Sequence, residues 1–103
     1  MSSRSHDDAM AELYRQDPAL ALQVMNDILE DPDAVQSELV VVLRQMAKAH
    51  GGVQALASKV NLNPTQLYRT LSPQGNPGLS SLMAILRALG LHLAVRPLGE
   101  QAL

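Results

Sequence analysis

The chain has 103 residues, which is enough for one folded domain. It has no Cys, which excludes disulfides and thiolate metal sites, and it has no Trp or Phe, which favours packed helices with an aliphatic core over a β-sandwich or barrel. No apolar run approaches the ~20 residues that span a bilayer and the first eight residues do not resemble a signal peptide, so we expect a cytoplasmic protein without membrane contact.

The net charge of −2 conceals two halves of opposite sign. Residues 1–38 contain nine acidic and two basic side chains, a net charge of −7, whereas residues 39–103 contain six basic and one acidic, a net charge of +5. This asymmetry predicts two different partners or faces, and it removes the objection that the chain is too acidic to bind nucleic acid. A solvated acidic helix surface would give the same distribution.

The N-terminal part is expected to contain a disordered arm, residues 1–7, followed by an acidic helical segment, residues 8–38. A short helix is predicted over residues 8–16. An Asp-Pro pair then matches an N-cap and the first helical residue, which predicts a second helix over residues 18–29. A second Asp-Pro pair predicts a longer helix over residues 32–50, because apolar residues at helical spacing outweigh three consecutive valines that would favour a strand.

The next segment, residues 39–98, contains a pair of short predicted helices. Val53–Val60 and Pro64–Leu71 are separated by Asn-Leu-Asn, whose first Asn tolerates the left-handed backbone that ends a helix. The second Asn is the expected N-cap of a helix with Pro at its first position. Two short helices joined by such a turn are typical of a helix-turn-helix unit, although an ordinary helical packing unit with a polar surface gives the same pattern.

The C-terminal part is expected to contain one more helix and one strand. Leu79–Leu89 is apolar at helical spacing, and Gly90 follows it in the position of a C′ glycine. Leu91–Arg96 alternates with period two, which predicts a short β-strand that must pair with another segment or chain, so this strand is the candidate contact of a homodimer. Residues 99–103 are expected to form a flexible tail.

Outward positions of the second short helix carry side chains of the types that can read bases in a DNA groove. With two leucines facing inward, Gln66 can bond adenine, Arg69 can bond guanine and Thr65 can contact a thymine methyl group. Polar groups around them are candidates for phosphate contacts. The candidate DNA-binding residues are Asn63, Thr65, Gln66, Tyr68, Arg69, Ser72, Gln74 and Lys59.

Three blocks of this sequence resemble the family of addiction-module antidote proteins. They read GGVQALA at residues 51–57, LYRTLSPQGNP at 67–77 and LRALGLHL at 86–93. From the predicted elements we expect an all-α fold with N-terminal helices and the short C-terminal β-strand. The resemblance implies that this fold includes an Xre/Cro-like, λ-repressor-like helix-turn-helix domain. It further implies a dimeric repressor that binds the inverted-repeat operator of its own operon and neutralises a small basic toxin of the RelE/ParE kind.

Other classes of function have weaker support in the sequence. The three histidines are scattered and no nucleophile motif is present, so we expect neither an enzyme nor a bound metal or cofactor. Two alternatives to an antitoxin stay open: a stand-alone or prophage-derived transcriptional regulator without a toxin, and a module that binds only proteins. A gene for a small basic protein next to this one would favour the antitoxin, and a weak salt dependence of DNA binding would favour the interaction module.

Overall fold

A computed structural model describes residues 3–98 of the chain, with side chains from residue 6 onward. Within this part the protein has helices only, which confirms the all-α expectation, and none of these helices is long and apolar enough to cross a membrane. The helices are α1 (Ser3–Gln16), α2 (Pro18–Glu30), α3 (Gln36–Ala49), α4 (Val53–Val60), α5 (Pro64–Thr70) and α6 (Leu79–Ala88).

Helix α1 begins at Ser3, whereas the sequence led us to expect a disordered arm through residue 7. The reason is a tertiary contact, because Asp7 is only 5% exposed and accepts hydrogen bonds from Arg44 and Gln45 of α3. Asp7 therefore lies on the buried stripe of α1 together with Ala11 and Tyr14, at the spacing of one helical face. The first two residues of the predicted arm lie outside the described residues.

Helix α2 follows the prediction closely, whereas α3 begins four residues later than expected. The second Asp-Pro pair forms a turn instead of a helix start: the side chain of Asp31 accepts a hydrogen bond from the backbone N–H of Asp33 at 2.9 Å, and its carbonyl accepts one from Ala34 at 3.2 Å. Asp and Pro are favoured both in such turns and at helix starts, so the local pattern did not decide between the two. The three valines are helical, as predicted.

One hydrophobic core joins the acidic N-terminal segment to the rest of the chain. Helix α3 contacts α1, α2 and α4, and the boundary that the sequence suggested between residues 38 and 39 falls inside it. The buried core residues are Tyr14, Ala21, Met25, Val42, Leu43, Met46, Ala47, Val53, Leu56, Ala57, Leu67, Leu71, Ile85, Leu86 and Leu89. Three of them precede residue 38, so α1 and α2 are integral to the fold and are not an appended arm.

The predicted C-terminal strand is absent from the described part of the chain. Helix α6 is closed by Gly90, with φ of 82°, and by a hydrogen bond from the N–H of Leu91 to the carbonyl of Leu86 at 2.8 Å. Residues 92–98 then continue without regular structure, and Val95 is 97% exposed. A strand requires a neighbour to complete its ladder of hydrogen bonds, and no other segment of residues 3–98 supplies one. The predicted tail, residues 99–103, lies outside the described residues.

Candidate nucleic-acid interface

The turn between α4 and α5 has the geometry that its residues predict. Asn61 ends α4 in the left-handed conformation, with φ of 61° and ψ of 33°, and is the one non-glycine residue with positive φ in the described part of the chain. The carbonyl of Ala57 accepts the N–H groups of both Asn61 and Leu62, the latter at 3.2 Å. These bonds satisfy a carbonyl at the end of α4 and set the direction in which the chain leaves it.

Helix α5 is fixed at its N-terminus by the predicted cap. The side-chain oxygen of Asn63 accepts the backbone N–H of Thr65 at 2.8 Å, and Pro64 occupies the first helical position. Leu67 and Leu71 are 0% and 1% exposed, so one face of α5 packs on the core. A helix of seven residues is too short to be stable alone, so its orientation depends on these anchors.

The opposite face of α5 carries the predicted DNA-reading side chains. Thr65, Gln66 and Arg69 are exposed, and Tyr68 is 59% exposed. Arg69 forms no ion pair with any described carboxylate, which leaves its guanidinium available to an external anion.

The other four candidate DNA-binding residues lie before and after α5 in the chain. Asn63, Lys59 and Gln74 are exposed, whereas Ser72 is half-buried and its Oγ donates to the carbonyl of Arg69 at 2.7 Å. Lys59 forms no ion pair among the described side chains. Seven of the eight candidates thus lie on α5, in the turn before it or in the loop after it, whereas Lys59 lies in the last turn of α4. Ser72 is partly engaged in ending the helix.

The loop after α5, residues 72–78, packs closely against that helix. A Cβ atom on Gly75 would lie 1.8 Å from the carbonyl oxygen of Thr70, so this approach requires glycine. The N–H of Gly75 donates to the carbonyl of Ser72 at 2.8 Å, and the side chain of Gln36 donates to the Asn76 side chain at 2.7 Å. The sequence indicated a turn here but not its attachment to α3.

A buried polar network, which sequence reasoning missed, links α1 to the end of α5. The guanidinium of Arg44 donates to the Asp7 carboxylate at 2.8 and 3.4 Å and to the carbonyl of Leu71 at 3.1 Å. Gln45 donates to the same carboxylate at 3.1 Å and accepts from the hydroxyl of Tyr14 at 3.4 Å. The i, i+4, i+7 spacing of Asp7 with two buried residues of α1 was the signal that could have revealed it.

The electrostatics of this network favour a charged Asp7. Burial raises the pKa of the Asp7 carboxyl, but hydrogen bonds from Arg44 and Gln45 and the positive charges of Arg44 and Lys48 outweigh burial and hold the pKa below its ordinary value.

The network borders a cavity of about 440 Å³ next to α5. The cavity is lined by Asp7, Arg44, Lys48, Val53, Tyr68, Leu71, Ser72 and Pro73. No group of side chains in the described part of the chain has the arrangement of a metal site.

These features describe a small all-helical protein that presents one short, firmly anchored helix with an exposed polar and basic face. A family model for probable addiction module antidote proteins matches residues 6–97, from α1 to the segment after α6. The chain therefore belongs to this family. Because an antidote acts against a toxin, membership implies a toxin partner in general terms. Searches of curated proteins and of solved structures gave no match.

Proposed function

We propose that this chain is the antitoxin of a type II toxin–antitoxin module and represses its own operon by binding DNA through α4 and α5. Membership in the antidote family supports the antitoxin part. The observation that carries the DNA-binding part is the outward face of α5, whose Gln66 and Arg69 are exposed while the helix is capped at its start and packed through two buried leucines. In this proposal α4 and α5 form an Xre/Cro-like helix-turn-helix, and the protein acts in the cytoplasm by binding and not by catalysis.

The proposed complex places α5 in the major groove. Its N-terminal residues face the base edges, and the side chains around it contact phosphates. A homodimer would place two copies of α5 about 34 Å apart, one turn of DNA, so the proposed operator is an inverted repeat. Leu91–Arg96, the segment expected to form the dimer contact as a strand, has no regular structure in the part of the chain that the structure describes.

The distribution of acidic residues supports a basic toxin of the RelE/ParE kind. Three acids of α1 are paired with cations of the chain: Asp7 with Arg44, Asp8 with Lys48 and Glu12 with Arg15. Further acids lie on or beside α2 and on the first turn of α3, and among the side chains that the structure describes only Glu30 of this group has a cation nearby, in Arg96 at 3.7 Å. These are Asp17, Asp27, Glu30, Asp31, Asp33 and Glu38, all exposed. Apart from Glu30, these acids form no ion pair with a described cation, so their negative charge is available to an external partner, in contrast to that of α1.

Toxin binding is best tested by neutralising charge rather than by deleting the acidic segment. Deletion would remove Tyr14, Ala21 and Met25 from the core and so unfold the DNA-binding part as well. Replacing Asp27 and Glu30 by Asn and Gln keeps the core intact, and in the proposal it weakens binding to a basic toxin while DNA binding is kept or improved. If toxin binding were unchanged, the partner would have to use another surface.

The DNA-binding proposal is tested with a duplex containing the sequence directly upstream of the chain's own gene. Fluorescence anisotropy titrations compare this duplex with a shuffled one of the same composition at several salt concentrations. We expect tighter binding to the upstream duplex and a steep fall in affinity with salt, since neutralised phosphates release counterions. Equal affinity for both duplexes, or an affinity that does not depend on salt, would contradict sequence-specific repression and favour a protein-binding module.

A further inference from the structure

The position of Arg44 connects two parts of the molecule that the proposed function treats separately. Its guanidinium lies between the carboxylate of Asp7 on α1 and the carbonyl of Leu71 at the C-terminal end of α5. Its side chain is 19% exposed and that of Asp7 is 8% exposed, so the pair is largely buried. The Arg44 guanidinium, which donates to the carbonyl at the C-terminal end of α5, is thus held in place by α1.

The carbonyl of Leu71 is one of the acceptors that a helix end leaves without a partner inside the helix. In the described part of the chain it accepts no backbone hydrogen bond, so the guanidinium is its partner. A cation is also favourable there, because the C-terminal end of a helix carries partial negative charge. Arg44 therefore anchors α5 at its C-terminal end, as the Asn63 cap does at its N-terminal end.

The guanidinium needs Asp7 to stay in this position. Two of its nitrogens donate to the two carboxylate oxygens, at 2.8 and 3.4 Å, in the fork arrangement that restricts an Arg side chain most strongly. Without the carboxylate, a largely buried cation would have one neutral acceptor left, and it would move toward water. The neighbouring pair of Asp8 and Lys48, at 2.7 Å, also joins α1 to α3 but makes no bond to α5.

We propose that Arg44 is a positioning residue that couples the docking of α1 on α3 to the orientation of α5, and so to DNA affinity. This inference rests on the proposed function, because α5 is the proposed DNA-reading helix. It gives the acidic N-terminal helix a part in DNA binding without any contact between that helix and DNA. Any event that displaces α1 also releases the C-terminal end of α5.

Two adjacent substitutions separate this coupling from simple electrostatics. Asp7→Asn and Asp8→Asn each remove one negative charge from α1, and simple electrostatics predicts that each strengthens binding to DNA or leaves it unchanged. The coupling predicts that Asp7→Asn instead weakens binding, by about fivefold or more, as is typical of coupling between sites. Asp8→Asn is the matched control, and its affinity is expected to equal or exceed that of the unaltered protein.

The experiment uses the full chain and the upstream duplex, at a temperature where circular dichroism shows every variant to be fully folded. A second comparison, Arg44→Lys against Lys48→Arg, keeps all charges, and only Arg44→Lys loses the simultaneous bonds to Asp7 and Leu71. This comparison therefore tests the coupling between α1 and α5 even if Asp7→Asn is too unstable to assay. Hydrogen exchange of the Leu71 and Ser72 amides in DNA-free protein is expected to accelerate in Asp7→Asn and Arg44→Lys and not in their controls.

The outcomes distinguish the inference from the function on which it rests. If the unaltered protein does not prefer the upstream duplex, the proposed function fails. If it does, but Asp7→Asn and Arg44→Lys bind as tightly as their controls, the function stands and the coupling is wrong. A lower melting temperature with unchanged affinity and unchanged exchange at Leu71 and Ser72 would likewise overturn the coupling, because Arg44 would then contribute to stability alone.

Discussion

Replacing Gly75 by Ala is expected to destabilise the protein and disturb the surface around α5. The added Cβ would lie 1.8 Å from the carbonyl oxygen of Thr70, 2.5 Å from its carbonyl carbon and 3.0 Å from the carbonyl oxygen of Arg69. These atoms belong to the backbone of α5, so no flexible side chain can move aside. The loop and the helix must therefore separate by at least about 1.2 Å before the contact is tolerable.

The expected magnitude follows from the cost of forcing atoms into a closely packed site, about 1–3 kcal/mol of unfolding free energy. For a domain of this size that corresponds to a fall in Tm of roughly 5–20 °C. The shift also strains the bond from Gln36 to Asn76, at 2.7 Å, which holds the loop to α3. Because the loop adjoins the proposed DNA-reading face, DNA affinity is expected to fall in the same variant.

Thermal unfolding followed by far-ultraviolet circular dichroism measures this effect, and Gly78→Ala is the matched control. Gly78 has φ of −68° and ψ of 168°, a conformation that Ala adopts readily, and a Cβ there meets no atom within 4 Å. We expect Gly78→Ala to change Tm little. If Gly75→Ala melted at the same temperature as Gly78→Ala, the close approach of the loop to α5 would be refuted.

Three further predictions concern the proposed site and the buried network. Arg69→Ala is expected to cost about 1–3 kcal/mol of binding free energy to the upstream duplex in anisotropy titrations. The control, Arg87→Ala, removes the same charge from α6 and is expected to cost less. Equal losses would show that Arg69 acts only through charge. Asn63→Ala removes the cap of α5 and is expected to lower the free energy of unfolding in urea by about 1 kcal/mol. Asn63→Ser keeps a capping oxygen and should lower it much less. Equal losses in the two variants would contradict a capping role for Asn63. Since the pKa of Asp7 is lowered in the folded state, its charged form stabilises the fold fully above the unfolded pKa, and this contribution disappears as the pH falls below about 4 through the folded value. Urea unfolding at several pH values should therefore show a smaller loss of stability in acid for Asp7→Asn than for the unaltered protein, and parallel curves would contradict the ion pair.

The turn between α4 and α5 shows how much local sequence predicts. The bounds of α4, the left-handed Asn61 and the Asn63 cap were all predicted from a few neighbouring residues and are confirmed. Capping depends on side chains within three or four positions of the helix end, so the sequence alone contains the necessary information. The inward leucines and outward polar residues of α5 likewise follow from helical periodicity.

Only the tertiary structure decided the features that depend on distant residues. Asp7 belongs to a helix because Arg44, 37 positions away, binds it, and its charge serves the fold and not an external partner. The second Asp-Pro pair forms a turn, and Leu91–Arg96 forms no strand because no partner lies beside it in the described chain. The sequence by itself thus determined the local geometry of α4 and α5 and the balance of charge between its halves. The three-dimensional contacts decided which of those charges are neutralised within the protein and which remain available at its surface, because ion pairs form between helices that the sequence separates widely.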